Sequence, residues 1–432
     1  MDKHINSTDK PKILFWLDAD FTHFAIAYFL QKRYDCELYA IVDVTNKPKK
    51  FFETQKLVNF KKIWYYHDNI QANKESNISY LEEIERKYEI NLWKLAINER
   101  IFYRFFDFHK FSRNEILSIM EQSAKLFEKI FHEVNPNFIV SEAPVLHHTE
   151  LFYQMSSKIG IDNLILSMPK LAGKSMISRQ IDKFDGVNDL GNIKIKNRTI
   201  QELQNYLKKR VPDKAWKNYW EKQTNSSSSV KSKIEYISSP NEHEKTHYTY
   251  FGRTKFNVAL FTAKNAIKKK QRESFIKNNL KDSVDLKTHF IYFPMSVDME
   301  RNLLIDSPLY TNQPEIIRII AKSLPINYEL YVKENPAQAS REWRSTAEYN
   351  EILKIPNVTM IQPTVLGREL IQNCSLVVSI AGASSLEAAF YQKPSIVVAD
   401  LGYTILPSIQ RLKSLEELPL MIRDSLKIEV NQ

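Results

Sequence analysis

A turn of small residues that leads into a helical pattern holds the densest group of candidate binding residues. It follows the apolar strand pattern Leu376–Ser379, and its Gly382 permits a tight turn of the backbone. Ser384 or Ser385 is expected to cap the helix, whose first N–H groups and dipole favour a phosphate group. Glu387 lies on the first turn, where it supports the cap or accepts hydrogen bonds from ribose hydroxyls. The pattern predicts a nucleotide-phosphate site, and a capped helix without a ligand is the alternative.

A second polar group ends the strand pattern Glu329–Val332. Lys333 offers a cation to a phosphate, Asn335 offers a hydrogen-bond donor, and Pro336 fixes the turn that follows. A solvent-exposed Lys-Glu pair at a strand end would have the same sequence. Because ligands bind beyond the carboxyl ends of parallel strands, both polar groups are expected at one sheet edge. Together they predict a single ligand site more strongly than either group does alone.

The sequence from about Lys287 to Tyr403 resembles the donor domain of a known family, the capsule-polysaccharide biosynthesis proteins of bacteria and archaea. This family includes glycosyltransferases of the GT-B type that use nucleotide-activated sugars such as the CMP-activated acid Kdo. The resemblance implies that the two polar groups bind a nucleotide-sugar donor. The matching segments are Phe290–Pro294, Leu330–Pro336, Pro356–Val358, and Ser379–Ala388 with Lys393 and Pro394 after it.

Two departures from the family pattern bear on the donor. The family usually carries a His where this chain has Asn335, and that His is expected to contact the donor phosphate. An Asn can donate a hydrogen bond there, but it cannot be cationic. The segment Pro294–Glu300 also lacks the His and the Gln-Pro pair expected after the first strand of this domain. The nucleotide and the sugar therefore stay open, with a CMP-activated donor as one candidate.

The acceptor of a glycosyl transfer has candidate partners in the first half of the chain. Glu142, His147 and His148 lie between the strand pattern Phe138–Val140 and a helical pattern from Thr149, and they resemble the Glu-containing, Pro-His-type segment of the same family. An acceptor hydroxyl must lose its proton as it attacks the anomeric carbon, and a carboxylate or imidazole with a pKa near neutrality can take it. We therefore expect the catalytic base among these three residues, with a helix-capping His pair as the alternative.

An Asp-x-Asp pattern follows the first strand pattern, Lys12–Leu17, at Asp18 and Asp20. Such a pattern binds a metal ion in the other main glycosyltransferase fold, but an Asp at this place most simply caps the helix that starts at Phe21. Asp20 and His23 remain candidates for acceptor binding. No metal and no cofactor is expected, because in a GT-B site helix dipoles and side-chain donors neutralise the donor phosphate.

The elements that must position these residues alternate between strands and helices. The segments Lys12–Leu17, Phe21–Leu30 and Glu37–Val42 form a strand, a helix and a strand, which implies a parallel sheet with a right-handed crossover. The alternation continues to about residue 180 and begins again at His289. It predicts an α/β fold with two doubly wound, Rossmann-like domains that face a cleft, where ligands of open α/β sheets bind.

Four segments follow from this pattern. They are an acceptor-side domain at residues 10–180, a helical and flexible inter-domain region at 181–285, a donor domain at 286–415, and a C-terminal helix or tail at 416–432. The inter-domain region contains the low-complexity stretch Asn225–Ser229 and the basic run Lys264–Arg272, whose interleaved apolar residues could rest on anionic lipid. A solvated helix face is the alternative for the basic run.

Composition bounds the class of protein. The 432 residues include 61 basic and 51 acidic side chains, dispersed along the chain, and the net charge is +10. This charge suits an anionic substrate or membrane surface as well as nucleic acid, and no specific nucleic-acid partner is expected. The polar start Met1–Pro11 and the lack of a long apolar segment predict a cytoplasmic protein, with the inner membrane face as a peripheral contact. Cys36 and Cys374 are expected as buried, reduced thiols.

Three functions remain open at this level. The first is a metal-independent glycosyltransferase that moves a sugar from a nucleotide-sugar to a capsule-type polysaccharide or a lipid-linked glycan. The second is a nucleotide-sugar epimerase of the same fold, which needs only a small closed cavity, whereas a transferase needs an open, basic acceptor groove. The third is a non-catalytic sugar- or nucleotide-binding protein on a transferase scaffold, which Asn335 and Ser296 would suit. The net charge and the basic run favour the transferase.

Overall fold

The structure is a computed structural model that describes residues 10–71, 75–104, 108–167, 170, 174–181, 183–186, 192, 196–210, 248–285 and 288–430. The described residues belong to two compact units. The first unit takes those within 1–167, 175–187 and 240–253, and the second takes those within 168–174, 188–239 and 254–432. The predicted inter-domain region 181–285 is therefore divided between the two units. Its low-complexity stretch Asn225–Ser229 lies outside the described residues.

The sheet of the first unit has six strands in the order β3-β2-β1-β4-β5-β6. The first five pair in parallel, and β6 is antiparallel to β5. The chain moves outward from β1 in both directions, so the topological switch point lies between β1 and β4. The strands are β1 (Lys12–Leu17), β2 (Glu37–Val42), β3 (Phe60–Tyr65), β4 (Phe138–Glu142), β5 (Asp162–Ser167) and β6 (Met176–Ser178).

Helices cover both faces of this sheet, which is why β1 reads as a continuous apolar run. Leu14 and Trp16 pack in one core cluster, whereas Ile13, Phe15 and Leu17 pack in another, as the alternation of a strand requires. The helices are α1 (Thr22–Arg33), α2 (Asn46–Thr54), α3 (Ile78–Tyr88), α4 (Leu92–Asn98), α5 (Arg113–Val134) and α6 (His147–Lys158), with short helical turns at Tyr66–Asn69, Arg100–Arg104 and Tyr248–Tyr250.

The sheet of the second unit repeats this strand order, but all six of its strands are parallel, in the order β12-β11-β10-β7-β8-β9. Its switch point lies between β7 and β10, where a ligand site is expected at the carboxyl edge. The strands are β7 (Phe290–Pro294), β8 (Glu329–Lys333), β9 (Val358–Ile361), β10 (Leu376–Ser379), β11 (Ser395–Val397) and β12 (Ile409–Arg411).

The helices of the second unit include two from the predicted inter-domain region. Leu207 of the first of these is buried beside Phe290 and Tyr292, and Ile276 of the second lies in the core on the other side of the sheet. The helices are α7 (Ile200–Arg210), α8 (Lys255–Asn279), α9 (Arg301–Leu304), α10 (Gln313–Ser323), α11 (Gln338–Arg341), α12 (Thr346–Leu353), α13 (Gly367–Asn373), α14 (Ser384–Phe390) and α15 (Leu418–Ser425), with single turns at Pro308–Tyr310, Gly402–Ile405 and Leu415–Glu417.

The predicted fold class, two doubly wound α/β domains, is confirmed by the two sheet topologies. The helices α11 and α12 are separate, because Glu342 between them has a φ of 110° that no α-helix accommodates. Cys374 is buried and Cys36 is half-buried, and both are free thiols. Among the described residues, no helix has both the length and the apolarity that a membrane crossing requires. A cleft shared by the two units stays a prediction.

Candidate functional site

A pocket in the second unit lies at the carboxyl edge of its sheet. The ends of β7 and β8 and the first turns of α13 and α14 form most of its wall, and α7 closes one side. The two polar groups that the sequence predicts to act together therefore share one pocket. The lining residues are Leu207, Tyr292, Pro294, Met295, Lys333, Glu334, Asn335, Pro336, Leu366, Gly367, Arg368, Ser384 and Glu387.

Lys333 and Glu334 do not form the solvent-exposed pair that their sequence allowed. Lys333 is 5% exposed and Glu334 is fully buried. Burial lowers the pKa of Lys333 to about 8, because removal from water disfavours the ammonium ion, and the negative charge of Glu334 opposes this shift only in part. A buried ammonium group that lines a pocket is suited to an anionic ligand, since the ligand restores the charge partner that water no longer supplies.

A buried ion-pair network fixes the end of β8 behind Lys333. The guanidinium group of Arg344 donates to the carboxylates of Glu334, at 2.9 Å, and Asp298. It also donates to the carbonyl oxygen of Ser296 at 2.7 Å, and the hydroxyl of Tyr349 donates to Glu334 at 2.8 Å. Burial alone would lower the pKa of Arg344, but the two carboxylates outweigh it and raise the pKa. The network therefore holds the β7 and β8 loops that line the pocket in one arrangement.

Asn335 keeps one of its polar groups for a ligand. Its Oδ1 accepts a hydrogen bond from the N–H of Ala337 at 3.0 Å, which closes the turn at Pro336. Asn335 lines the pocket, and its Nδ2 amide is a hydrogen-bond donor. Asn335 can thus play the donor role predicted for it, without the positive charge of a His.

The small-residue turn before α14 differs in detail from its predicted role. No side chain caps α14: it begins at Ser384, and Ala383 occupies the N-cap position. The Oγ of Ser385 is fully buried and lies 2.7 Å from the Oγ of Ser379, so it ties α14 to β10 rather than to a ligand. Gly382 has no positive φ, its carbonyl oxygen accepts a hydrogen bond from the Tyr403 hydroxyl at 2.6 Å, and it is absent from the pocket lining.

Ser384 and Glu387 line the pocket as predicted, and Arg368 joins them. Burial raises the pKa of Glu387, and the nearby charge of Arg368 opposes the shift. Arg368 was not predicted, since the α13 start carries no phosphate-binding motif. Leu207 was not predicted either, because its helix lies in a charged segment far away in sequence. The signal that could have found Arg368 is a basic residue in the first turn of the helix that follows β9.

The carboxyl edge of the first sheet holds Glu142 at the end of β4. Burial raises the pKa of Glu142 to about 7, and the negative charges of Asp18, Asp20 and Asp43 add to the shift. Its side chain is half-buried, so it remains accessible. A carboxylate with a pKa near neutrality can take a proton from a hydroxyl group and release it again, which is the role predicted for this residue.

His147 and His148 are both at the start of α6, and both are buried. His147 is 3% exposed, and its Nδ1 lies 3.0 Å from the carboxylate of Glu99. The pKa of Glu99 is lowered to about 2, because the hydrogen bonds and charge of His147 outweigh burial. His148 is 1% exposed, and its Nε2 lies 2.8 Å from Asp43. Their role as catalytic base stays a prediction, and their burial makes Glu142 the better placed of the three.

Asp43, at the end of β2, is the centre of a buried network that the sequence did not predict. Its two oxygens contact the Nε2 atoms of His148, at 2.8 Å, and His67, at 2.7 Å. Burial would raise the pKa of Asp43, but these two imidazoles outweigh it and hold the pKa far below its usual range. The ring of Tyr66 stacks on His148 with centroids 4.4 Å apart. The network joins segments too distant in sequence to be recognised as a motif.

Asp18, Asp20 and His23 lie together beyond β1, and their candidate ligand atoms are all within 4.8 Å of one another. Asp18 accepts a hydrogen bond from the N–H of Asp20 at 3.0 Å, and Asp20 accepts one from Thr22 at 2.7 Å. Asp20 thus satisfies the first N–H of α1, as its predicted capping role requires, although the helix begins one residue later than predicted. Phe21 at the N-cap position has a φ of 61°, an unfavourable conformation for an aromatic residue.

No protein-family model and no curated protein matches the sequence. Among solved structures, the chain is similar to a UDP-GlcNAc 2-epimerase of Methanocaldococcus jannaschii in complex with UDP-GlcNAc and UDP, at 12% identity over 97% of this chain and 94% of that chain, with a TM-score of 0.31. It is similar to KpsC of Thermosulfurimonas dismutans, a β-Kdo 2,7 transferase, at 13% identity over 76% and 86%, with a TM-score of 0.33. It is also similar to the glycotransferase of kitacinnamycin, at 10% identity over 97% and 92%, with a TM-score of 0.27.

The class of protein follows from the two sheets themselves. The chain is a two-domain α/β protein with a Rossmann-like sheet in each unit. Its second unit carries a pocket with two basic side chains and two carboxylates beside the switch point. Its first unit carries a half-buried carboxylate at the corresponding edge.

Proposed function

We propose that this protein is a glycosyltransferase that transfers a sugar from a nucleotide-sugar donor to a capsule-type polysaccharide or a glycolipid acceptor. The observation that carries the proposal is the pocket of the second unit, in which Lys333 and Arg368 lie with Glu387 and Asn335 at the carboxyl edge of a doubly wound sheet. Such edges are the usual place for nucleotide binding in this fold class.

The side chains of the pocket suit the parts of a nucleotide-sugar. Lys333 and Arg368 offset the charge of the phosphate, and the Nδ2 of Asn335 donates a hydrogen bond to it. Glu387 accepts hydrogen bonds from ribose hydroxyls when it is ionised, and Ser384 offers a hydroxyl beside it. The cationic groups also stabilise the nucleotide as it leaves, because its negative charge increases when the bond to the sugar breaks.

The reaction is a displacement at the anomeric carbon. The oxygen of an acceptor hydroxyl forms a bond to that carbon, the bond from the carbon to the phosphate oxygen breaks, and the nucleotide leaves with the electron pair. The proton of the acceptor hydroxyl goes to a base, for which Glu142 is the best placed candidate because it is half-buried and its pKa is about 7.

Contact with an anionic membrane is a further part of the proposal and concerns α8. Phe256, Leu260 and Ile267 are exposed on this helix, at 74%, 44% and 62%, and their spacing places them along one stripe. The exposed residues Lys264 and Lys270 flank the stripe. An apolar stripe between basic residues is the pattern of a helix that lies on anionic lipid, which suits a lipid-linked acceptor.

A single set of incubations distinguishes transfer from the two alternatives. The protein is incubated in deuterated water with CMP-, UDP-, GDP- and ADP-linked sugars, with and without capsule-type oligosaccharides. Release of nucleotide that depends on the oligosaccharide supports the transferase. An epimerase must break and re-form a carbon–hydrogen bond of the sugar. Deuterium incorporated into the donor sugar in the absence of acceptor would therefore support the epimerase and contradict the transferase. Nucleotide binding without either change would identify a non-catalytic binding protein.

A further inference from the structure

The group at the end of β1 contains a histidine that the fold has buried without a good partner. His23 is 3% exposed, and neither of its ring nitrogens makes a hydrogen bond of standard geometry, although the backbone of Ser141 interacts weakly with it. A buried, unsatisfied imidazole is costly, because its polar atoms lose the hydrogen bonds that water would make. One of its nitrogens lies within 4.8 Å of carboxylate oxygens of Asp18 and Asp20.

The charges around His23 are those that a cation would balance. The carboxylates of Asp18 and Asp20 lie beside the buried imidazole of His23. The same aspartates disfavour the charged form of Glu142. Several carboxylates thus share a partly desolvated edge without a compensating positive charge from a lysine or arginine among these interactions.

We propose that Asp18, Asp20 and His23 bind a divalent transition-metal ion at the carboxyl edge of the first sheet. Two carboxylates and one imidazole suit Mn²⁺, Co²⁺ or Zn²⁺, whereas Mg²⁺ and Ca²⁺ prefer sites made only of oxygen atoms. Metal–ligand bonds of about 2.1 Å place two ligand atoms at most about 4.2 Å apart. The observed spread of 4.8 Å therefore requires only small rotations of the side chains.

The hydrogen bonds already present in the group are compatible with a metal ion. The N–H groups of Asp20 and Thr22 each engage one carboxylate oxygen and so hold the carboxylates in place. A carboxylate has two oxygens and several lone pairs, which leaves positions for a metal ion. Three protein ligands leave further coordination positions open, as in catalytic rather than structural metal sites.

The proposed metal site is separate from the pocket proposed to bind the donor phosphate, for which the sequence predicts no metal ion. The donor pocket belongs to the second unit and contains its own cations, Lys333 and Arg368. The metal ion of the first unit would instead hold hydroxyl or acidic groups of a second substrate. Its presence is tested without any nucleotide, so the result does not depend on the proposed transferase activity.

The test is a titration of the full-length, chelator-stripped protein with Co²⁺, followed by visible absorption and by dialysis with elemental analysis. We expect one ion per chain and a visible absorption band whose intensity reports the coordination number of the bound Co²⁺. Asp18→Asn and Asp20→Asn keep the hydrogen bonds to the N–H groups but remove the charge. Each variant, and also His23→Gln, should weaken Co²⁺ binding by at least about tenfold. Excess Mg²⁺ should not displace the Co²⁺.

Matched controls distinguish this site from other histidines and aspartates. His132→Gln and Asp35→Asn change exposed residues of the same type and should leave Co²⁺ binding unchanged. The metal-free variants must show the wild-type circular dichroism spectrum, and the two Asp→Asn variants decide the question where His23→Gln fails to fold. Absence of Co²⁺ binding, or binding that all three site variants retain, would overturn the proposal.

Discussion

The buried ammonium group of Lys333 should make the proposed nucleotide binding dependent on pH. Its pKa of about 8 lies below the usual value because burial disfavours the charged form. Phosphate groups of nucleotides are already ionised at pH 7, so their charge stays constant while the lysine loses its proton between pH 7 and 9.5. We predict that CMP or UDP affinity, measured by calorimetry, falls between pH 7 and 9.5 and approaches tenfold per pH unit above the pKa.

Variants of Lys333 show whether this charge is the cause. Lys333→Met should bind nucleotide weakly at every pH, whereas Lys333→Arg stays charged and should lose the pH dependence over this range. An affinity that stays constant or rises between pH 7 and 9.5 in the wild type would exclude a titrating lysine in the donor site.

Substitution of Glu142 should reduce the turnover of sugar transfer without changing the affinity for the donor. Glu142→Gln keeps the size of the side chain but cannot accept a proton from an acceptor hydroxyl. We predict a loss of turnover of about 10²- to 10⁴-fold, with donor affinity unchanged, because the donor pocket belongs to the other unit. Turnover and calorimetric binding are measured on the same preparation. If Glu142→Gln transfers sugar at the wild-type rate, the base lies elsewhere.

The helices and strands around the donor pocket depend on the buried Arg344 network. Arg344→Met leaves Asp298 and Glu334 as buried, unpaired carboxylates, and a broken buried pair costs about 3–5 kcal/mol. We predict a clearly lower unfolding midpoint in urea and weaker nucleotide binding. Arg411→Met is the matched control, because Arg411 and Asp400 form a pair that is 45% exposed on both sides and is worth at most about 1 kcal/mol. Equal midpoints for the two variants would show that the network does not support the pocket.

The exposed stripe of α8 should direct the protein to anionic lipid. We predict that sedimentation with phosphatidylglycerol vesicles decreases at high salt, since screening weakens surface charge interactions. Ile267→Ser and Lys264→Glu should each reduce it, whereas Glu416→Lys, which adds charge elsewhere, should not. Equal binding to neutral and anionic vesicles would contradict a basic lipid contact.

The strands that the sequence predicted correctly are those with continuous apolar runs, such as β1 and β10. The sequence pattern did not predict β3, because Lys61 and Lys62 interrupt its apolar residues. A strand at the edge of a sheet tolerates such charges, and they prevent it from pairing with other chains. The strands β6 and β12 have three residues each, too few for a periodic pattern.

The candidate sites were predictable where polar residues follow a strand directly. Lys333, Asn335 and Glu142 belong to this class, since the end of a parallel strand fixes their edge of the sheet. Arg368 and Leu207 reach the donor pocket from helices, and only the packing of those helices decides which residue faces it. The burial of the His147–His148 pair also depends on tertiary packing, which a local motif does not encode.

At the scale of the whole molecule, the two units share one strand order. The side chains at the carboxyl edges of their two sheets differ in charge. The edge in the second unit combines basic side chains with carboxylates, whereas the edge in the first unit gathers carboxylates and several buried imidazoles. A nucleotide phosphate suits the former, and a cation or a hydroxyl group suits the latter. This division of charge is the physical basis for our proposal that the donor binds to the second unit and the acceptor to the first.

Nucleotide binding by the second unit is the most direct test of this assignment. The melting temperature of the protein is measured with CMP, UDP, GDP and ADP, and binding to the folded state at about 100 times Kd adds about 2.7 kcal/mol of stability. We predict a clear increase with one nucleotide, which Lys333→Met and Glu387→Ala abolish. No increase with any nucleotide at millimolar concentration, or an increase that both variants retain, would contradict a nucleotide-sugar site in this pocket.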